Sequence, residues 1–405
     1  MKGENRSVIA YSGGRDGGVL EVKQGGGVRL LAGLAGAVFL APTAGAAVQY
    51  RVEILRNLSS GTTSTTARAV NDSGVVVGDA ERDGFFRVPP VRWDLGASAP
   101  TELGFFKSEN GFGWGINNSG DAVGQLQGAP TTAAVWPAGG TSVIALPSFS
   151  ANPNGDNVAR AISDTGWVVG SSAGAGAARW ATFSTAPVSL RAPGGGLATA
   201  ATAVNNHGDA VGSAHDSSTG QEQAVLWQAG GTTGLALPRL PASGGLVNLE
   251  TVAYGINDAG WIVGLATMYS GTQPKTQRAV RWSPDGSTIV DLGSGFATGI
   301  NSAGDAVGLS SPGATLWTED LNVTVDLNTV IAPDSGWNLL FATDISDTGF
   351  IIGQGTFDPD GAGPLTPVTA AFRLVPVPEP AGVVGLGLSG WIVLRRRRRQ
   401  SVSGR

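Results

Sequence analysis

A unit of about 45 residues is repeated seven times along this chain of 405 residues. Aligned on its glycines, the unit reads Ala-x-(Ala/Gly/Asp)-(Ile/Val)-(Asn/Ser)-x-x-Gly-x-x-(Val/Ile)-Gly, and only the second copy lacks the leading alanine. A fixed period of this length indicates an array of small units, so the chain is not divided into two or three ordinary domains. The copies begin at Ala67, Gly113, Ala159, Ala201, Ala253, Ala297 and Ala342.

Each copy predicts a β-hairpin with a tight turn. An apolar strand leads into the four residues Asn/Ser-x-x-Gly, and a second apolar strand follows. Glycine supplies the positive φ that closes a type I turn followed by a bulge. The turn glycines are Gly74, Gly120, Gly166, Gly208, Gly260, Gly304 and Gly349.

Two further strands complete the predicted unit. In six copies a third strand ends at a tryptophan, and Leu374 takes this place in the seventh. Fourth strands are predicted at Thr101, Ser142, Ile289 and Thr324. Four short antiparallel strands repeated seven times predict an all-β fold, a seven-bladed β-propeller over residues 47–375. The tryptophans, expected to anchor the interfaces between blades, are Trp93, Trp136, Trp180, Trp227, Trp282 and Trp317.

The seventh unit lacks a fourth strand, because the composition of the chain changes after Leu374. Residues 49–58, QYRVEILRNL, precede the first hairpin and read as an unpaired strand. We expect this N-terminal strand to complete the seventh blade, which closes the ring and removes an exposed sheet edge.

The repeats resemble the HAF family of extracellular repeats, in which an Ala-x-Gly-Ile-Asn-x-x-Gly-x-(Val)-Val-Gly core precedes His-Ala-Phe-x-Trp. The copy AYGINDAGWIVG at Ala253 matches the core closely. The second part is altered, as in QAVLW at Gln223 and AAFRL at Ala370, and no copy keeps the histidine. The resemblance covers the whole repeat region and implies an exported, propeller-like protein, with no catalytic residues to carry over.

The first 46 residues predict a secretory signal peptide. Residues 28–40, VRLLAGLAGAVFL, are apolar, and Ala44-Gly45-Ala46 offers a small-residue cleavage site before Ala47. The polar, glycine-rich stretch ahead of them is long for such a signal. This favours a true start later than Met1, near Val22 or Val28.

Residues 376–405 form a distinct tail. Pro378, Glu379 and Pro380 precede an apolar run over residues 381–394. An arginine block follows, formed by Arg395, Arg396, Arg397, Arg398 and Arg399. This order resembles the PEP-CTERM sorting signal, in which a Pro-Glu-Pro motif, a short transmembrane helix and an Arg-rich cytoplasmic end are recognised by an exosortase. That membrane enzyme belongs to Gram-negative bacteria that commonly make exopolysaccharide.

The physical properties of the tail agree with this resemblance, because Pro-Glu-Pro cannot join a helix and the arginines hold the end in the cytoplasm. The apolar run nevertheless has 14 residues, whereas a helix that spans a bilayer needs roughly 20. A plain tail anchor is therefore the alternative to a cleaved sorting signal.

Composition excludes several classes of function. Residues 48–378 contain 15 basic and 27 acidic residues and carry a net charge of about −12, so a basic face for nucleic acid is not expected. The chain has no cysteine, which excludes disulfides, thiolate metal sites and a cysteine nucleophile.

Few residues suggest catalysis or metal binding. His207 lies in a turn and His215 in a following loop, and both are predicted to be solvated. Asp358 and Asp360 are a candidate pair for calcium, but no distal glutamate completes an EF-hand loop, so an ordinary turn is favoured. No other metal or cofactor is predicted.

A propeller-type glycan hydrolase or lyase is one alternative function. The Ser-Asp-Thr-Gly turns at Ser163 and Ser346 are similar to the Asp-box of sialidase-type propellers, Ser-x-Asp-x-Gly-x-x-Trp, although here Asp directly follows Ser. The sequence shows no arginine cluster suited to a sugar carboxylate. This alternative predicts several carboxylates that converge at the central channel, one of them with a raised pKa.

The residue after the turn glycine alternates between acidic and apolar around the ring, which indicates duplication of a two-blade unit. Equivalent turns share one face of a propeller, so these residues are expected to alternate around a rim. Neighbouring acidic and aromatic side chains can bind sugar rings. The alternative explanation of the alternation is turn chemistry inherited by duplication. Apart from Val75 in the first copy, the rim candidates are Asp121, Trp167, Asp209, Trp261, Asp305 and Phe350.

These observations together predict a non-enzymatic, exported binding or matrix component. Its expected partners are an exosortase-type enzyme, the inner membrane before processing, and exopolysaccharide or another envelope protein. Its expected location after transient anchoring is the cell surface, the outer envelope or the medium. A glycan hydrolase and a purely structural, tail-anchored envelope protein are the alternatives.

Overall fold

A computed structural model describes residues 49–58, 65–82, 87–97, 99–106, 110–149, 155–216, 219–320, 323–361, 363 and 365–377. The predicted signal peptide and the predicted sorting residues from Pro378 onward lie outside the described residues. The described residues contain no helix that is both long and apolar enough to cross a membrane.

The described strands form seven separate four-stranded antiparallel sheets, which are the blades of a β-propeller and confirm the predicted fold class. Blades one to three contain β2 Thr65–Val70, β3 Val76–Ala80, β4 Pro90–Trp93, β5 Thr101–Glu102, β6 Gly111–Ile116, β7 Ala122–Leu126, β8 Thr132–Trp136, β9 Ile144–Ala145, β10 Asn157–Ile162, β11 Val168–Ser172, β12 Gly176–Trp180 and β13 Val188–Ser189. Blades four to six contain β14 Ala198–Val204, β15 Ala210–His215, β16 Glu222–Trp227, β17 Leu235–Ala236, β18 Val247–Ile256, β19 Ile262–Ser270, β20 Gln273–Trp282, β21 Ile289–Ser294, β22 Phe296–Ile300, β23 Ala306–Leu309, β24 Ala314–Trp317 and β25 Thr324–Asp326. Blade seven contains β26 Trp337–Ile345, β27 Ile351–Phe357, β28 Val368–Val377 and β1 Gln49–Ile54. One 3₁₀ turn, Leu327–Thr329, follows β25.

The repeat motif forms the predicted hairpin in every blade. The turn glycines have φ between 72° and 94°. Each donates its N–H to the carbonyl oxygen of the Asn or Ser three residues earlier, at 2.9 to 3.0 Å. The Asn or Ser N–H in turn bonds the carbonyl of the residue after the glycine, which is the geometry of a type I turn with a bulge.

The last glycine of the repeat is required by close backbone contact. At Gly78 a Cβ atom would lie 1.9 Å from the carbonyl oxygen of Thr66 on the inner strand. The equivalent distance is 1.9 to 2.1 Å in all seven blades. Since any side chain would clash with backbone here, glycine lets the first two strands of each blade approach at the bulge.

The six signature tryptophans lie between blades, as predicted. Each is at most 3% exposed. Each indole N–H donates to a backbone carbonyl at the end of the outer strand of the preceding blade, as from Trp227 to Arg191 at 2.7 Å. The six distances run from 2.7 to 3.0 Å. In blade seven Leu374 occupies this position and is fully buried.

The N-terminal strand completes the seventh blade, which confirms the predicted closure. β1 pairs antiparallel with β28, from Gln49 opposite Val377 to Ile54 opposite Phe372. Blade seven is therefore built from both ends of the described chain. Backbone hydrogen bonds between β1 and β28 close the ring, so β28 has no exposed edge.

Candidate functional site in the central channel

The seven inner strands, β2, β6, β10, β14, β18, β22 and β26, surround a channel along the propeller axis. Two adjoining cavities of about 190 Å³ each occupy this channel, and both are lined by residues from all or nearly all blades. We call the face that carries the Asn/Ser-x-x-Gly turns the turn face. The other end of the channel opens on what we call the opposite face.

The first residue of each turn joins neighbouring blades. The side chain of Asn71 accepts N–H bonds inside its own turn, while its amide donates to the carbonyl of Asn117 in the next blade at 3.1 Å. Asn117, Asn205 and Asn257 make the same bond to the following blade. All seven residues at this position are buried. In these four blades the asparagine is thus a clamp between blades, whereas in blade six the amide of Asn301 donates to Asp305 of its own turn.

The Ser-Asp-Thr-Gly turns achieve the same connection with two hydroxyl groups. In blade three Ser163 lies 3.0 Å from the hydroxyl of Thr165, which donates to the carbonyl of Asn206 at 2.9 Å. In blade seven Thr348 donates to the carbonyl of Asp72 at 2.7 Å. Serine is too short to reach the next blade, so threonine connects the blades, through the carbonyl of the second turn residue where asparagine uses that of the first. This structural role explains the likeness to an Asp-box.

The second residues of the turns form a polar ring at the turn-face mouth, which we call the collar. In six of seven places around the collar a side-chain oxygen accepts the backbone N–H of the preceding collar residue, at 2.6 to 2.9 Å. Two amides bridge carboxylates, as where Asn118 donates to Asp72 at 2.7 Å and to Asp164 at 3.0 Å. The collar consists of Asp72, Asn118, Asp164, Asn206, Asp258, Ser302 and Asp347.

The cavity toward the opposite face, which we call the chamber, is lined by the variable second residue of each repeat. Blades four, six and seven place Thr202, Thr298 and Thr343 there, and each hydroxyl donates to a backbone carbonyl of the next blade. The other blades place large side chains at this position, which makes the chamber asymmetric. They are Arg68, Trp114, Arg160 and Tyr254.

Two arginines of the chamber lie around one indole ring. The guanidinium carbon of Arg68 is 4.0 Å from the ring centre of Trp114, and that of Arg160 is 5.2 Å from it. No arginine cluster is apparent in the sequence, because Arg68 and Arg160 are 92 positions apart and meet only across three neighbouring inner strands. Repulsion from Arg68 adds to burial, the main cause, in lowering the pKa of Arg160.

One carboxyl group, Asp344, lies where the collar cavity and the chamber adjoin. Its two oxygens accept the N–H groups of Val70 at 3.0 Å and Ile345 at 2.9 Å. Gly299 of blade six makes room for it, since a Cβ there would lie 2.9 Å from Oδ1 of Asp344. Burial among protein atoms, opposed by these hydrogen bonds, raises the pKa of Asp344 to about 7.

The rim residues are partly buried and engaged within the protein. The carboxylates of Asp121, Asp209 and Asp305 accept N–H bonds from the turn between the third and fourth strands of their own blade, at 2.7 to 3.0 Å. The rings of Trp167 and Phe350 lie against the turn glycine of the next blade. These contacts favour a structural origin for the alternation, and the predicted sugar site at this rim stays a prediction.

A second alternating residue accompanies the first. The residue before the signature tryptophan or leucine is arginine in the odd blades, and three of these arginines donate to backbone carbonyls of the following blade. Arg179 and Arg281 also lie over the rings of Trp167 and Trp261, at 5.5 and 4.5 Å. The arginine and the aromatic ring therefore belong to the interface with the following blade, which is blade one in the case of Arg373.

The remaining candidate residues lie apart from the channel. Asp358 and Asp360 stand in the loop between β27 and β28, where their carboxylates accept backbone N–H bonds. Among the described residues no group of three or more His, Cys, Asp and Glu side chains is arranged to hold a metal ion. His207 and His215 are exposed, as predicted, although His215 ends strand β15 and is not in the following loop.

No protein-family model matches the chain. No curated protein matches it either. Among solved structures, it is similar to TolB from Acinetobacter baumannii, at 13% identity and a TM-score of 0.40. That match covers 58% of this chain and 55% of TolB, so the chain spans about half the length of that relative.

Two further structures match over more of their length. A structure of YCF48 bound to D1 peptide is 11% identical with a TM-score of 0.46, over 82% of this chain and 96% of the other. A gluconolactonase from Xanthomonas campestris is 12% identical with a TM-score of 0.39, over 83% and 93%. At this distance the likeness extends to the propeller architecture alone, and the function is argued from the channel.

Proposed function

We propose that this chain is a non-enzymatic, exported binding or matrix component that is displayed or secreted through an exosortase-type sorting system and associates with exopolysaccharide. The observation that carries the proposal is the chamber. Its wall fixes two guanidinium groups, an indole and a phenol on a closed ring of inner strands. A preformed cavity with a few polar groups in set positions is typical of a small-ligand site.

The carboxylates of the channel support a binding role over a catalytic one. Those of the collar, such as Asp72 and Asp164, accept backbone N–H bonds that join successive blades. Glycoside hydrolysis generally needs two carboxyl groups about 5 to 10 Å apart, free to act on either side of one bond. Carboxylates that hold the ring together are poorly suited to that task.

A glycan hydrolase remains the second candidate, and Asp344 is the observation that favours it. Several carboxylates converge on the channel, and burial raises the pKa of Asp344 to about 7, which suits a general acid. Converging carboxylates, one of them with a raised pKa, are what a glycan hydrolase of this fold is expected to show. Release of reducing ends from host exopolysaccharide by the exported protein, abolished by Asp344→Asn, would establish the second candidate in place of the first.

The export route rests on the N-terminal signal and on the tail from Pro378 onward. A Pro378→Ala/Pro380→Ala variant is expected to keep its C-terminal tail and remain in the inner membrane, whereas the unchanged protein loses the tail. Mass spectrometry of the C-terminal peptide in each cell fraction reads this out, with Pro376→Ala in β28 as the matched control. An intact tail on the unchanged protein at its final location would support the plain tail anchor.

Binding is tested by cosedimentation of the exported protein with exopolysaccharide purified from the same host. We expect saturable cosedimentation that excess soluble polysaccharide reverses. If the protein stays in solution at every polysaccharide concentration, the binding role is wrong and a purely structural envelope role takes its place.

A further inference from the structure

Arg160 is a cation of the chamber that the described protein does not neutralise. Its guanidinium faces the ring of Trp114, and the described residues offer it no carboxylate. Its buried Nε has no hydrogen-bond partner. A desolvated charged donor without an acceptor is unfavourable, so this position is poised to receive an anion.

Arg68, which lines the same cavity, is neutralised by a carboxylate. Its Nε lies 2.6 Å from a carboxylate oxygen of Asp79, which is itself nearly buried. Both arginines occupy the same position of the inner strand, in blades one and three. The residue of blade three that corresponds to Asp79 is Ser171, which cannot neutralise Arg160. The difference between the two blades therefore leaves one positive charge available in the chamber.

We infer that the chamber binds a carboxylate-bearing sugar residue, with the guanidinium of Arg160 as the ligand of the carboxylate. This inference rests on the proposed function and names the class of glycan that it concerns. Arginine suits the role because its planar fork of N–H donors matches the two oxygens of a carboxylate.

Further groups of the chamber fit the hydroxyl groups of a sugar. Tyr254 makes no hydrogen bond to a described residue through its phenol, which can donate and accept. The hydroxyls of Thr202, Thr298 and Thr343 already donate to backbone and keep free acceptor lone pairs. At about 190 Å³ the chamber lies below the roughly 300 Å³ of the smallest typical ligand pockets. It therefore suits one sugar residue, either a free uronic acid or the end of a chain.

The charge distribution of the channel determines the side of entry. The collar presents four aspartates at the turn face, including Asp164 and Asp258, and repels an anion there. Arg68 and Arg160 lie on the other side, toward the opposite face. Residues 48–378 carry a net charge of about −12, but physiological salt screens exposed charges beyond about 8 to 10 Å. The charges nearest the channel therefore determine where an anion can approach. An acidic sugar thus enters from the opposite face.

The test is calorimetric titration of the exported protein, purified from its host, with galacturonate and glucuronate. Galactose and glucose serve as the neutral counterparts, and inorganic phosphate and acetate as anions without a sugar ring. A host oligosaccharide that ends in a uronate distinguishes a chain end from a free acid. We expect a uronate to bind and the neutral sugars to bind at least 10-fold more weakly.

Arg160→Gln is expected to weaken uronate binding by about 10- to 100-fold without lowering the thermal midpoint, because it removes an unpaired, partly buried charge. Arg278→Gln removes the same charge from an exposed ion pair with Asp291 on blade five and is the matched control. It should leave the affinity unchanged.

Four outcomes would overturn the inference. If phosphate or acetate displaces the uronate at equal concentration, the chamber is a general anion site. If galactose binds as well as galacturonate, the carboxylate is not recognised. If the protein cosediments with exopolysaccharide and Arg160→Gln does so equally well, the proposed function stands but its site lies elsewhere. If neither uronate nor exopolysaccharide binds, both fail together.

Discussion

Oε2 of Glu53 lies 2.6 Å from Nη2 of Arg373, although 320 residues separate them along the chain. Glu53 belongs to the N-terminal strand, and Arg373 is its register partner on β28. Arg373 is only 2% exposed and also donates to the carbonyl of Gly74 in blade one at 2.7 Å. One buried guanidinium therefore connects the N-terminal strand, the last repeat and the first repeat.

Removing Glu53 should destabilise the seam more than the loss of one surface ion pair would. Glu53→Ala leaves the buried guanidinium of Arg373 without its carboxylate, and we expect a loss of about 2 to 4 kcal/mol in the free energy of unfolding. Arg51 also pairs with Glu53 but its side chain is 62% exposed, so Arg51→Ala should cost less than about 1 kcal/mol. Equal losses in chemical denaturation would contradict this account of the seam.

Deletion of residues 49–58 should open the ring. It removes the outer strand of blade seven and exposes the edge of β28, so we expect a lower thermal midpoint and a tendency to associate through that edge. Calorimetry and light scattering measure the two effects. A shortened protein with full thermal stability would show that backbone pairing in blade seven does not hold the propeller closed.

The Asn-x-x-Gly turn and the Ser-Asp-Thr-Gly turn should be interchangeable when their first and third residues are exchanged together. Thr165→Ala removes the hydroxyl that bonds blade three to Asn206, at an expected cost of about 1 kcal/mol. Adding Ser163→Asn supplies the amide clamp used by the other blades and should restore most of that loss. A double-mutant cycle from urea denaturation gives the coupling energy. Additive effects would mean that serine and threonine do not act as one unit.

The rim aromatics should matter for stability and not for binding. Trp167 packs between blades three and four and lies under Arg179, so Trp167→Ala is expected to cost about 2 kcal/mol. Exopolysaccharide cosedimentation should change less than twofold in this variant, and likewise in Trp261→Ala and Phe350→Ala. Phe106→Ala truncates an exposed ring as a control. Loss of binding in folded rim variants would favour the rim as the sugar site.

Asp344 should make stability depend on pH. Its folded pKa of about 7 lies above the ordinary value of 3.8, so between these values the folded chain holds a proton that the unfolded chain releases. Stability therefore falls as pH rises from 3.8 to about 7, by at most about 4 kcal/mol at about 1.4 kcal/mol per pKa unit, and by less because Asp344 lines the open channel. Asp344→Asn should remove this slope, whereas Asp164→Asn in the collar should keep it. A slope that persists in Asp344→Asn would assign it to other groups.

The fold followed from the sequence because its constraints are local and repeated. The turn at Asn71 to Gly74 closes with its own backbone, and the period carries the same geometry to every blade. Closure followed as well, since the count of strands left one missing in blade seven and one spare at residues 49–58. These inferences use only neighbours in the chain and the requirement that sheet edges be paired.

The channel did not follow from the sequence, because its residues are far apart and sit at the position that the repeat leaves variable. Arg68, Trp114 and Arg160 each look unremarkable within their own copies, and they meet only when the inner strands are placed side by side. The signal was present, however, since a variable position on the inner strand of a ring must face the axis. The alternation of rim residues is visible in the sequence, and so is the matching arginine before the signature tryptophan, as at Arg179 and Arg281.

The direction of β28 bears on how the propeller would be oriented if it were attached through its C-terminal end. β28 runs toward the turn face, where Pro376 lies beside the turn glycine Gly349. A tether that continues from Val377 would leave the propeller at the turn face, so the acidic collar would lie on the attached side and the arginine-lined opening would point outward. A single C-terminal attachment would thus decide which end of the channel the surroundings can reach.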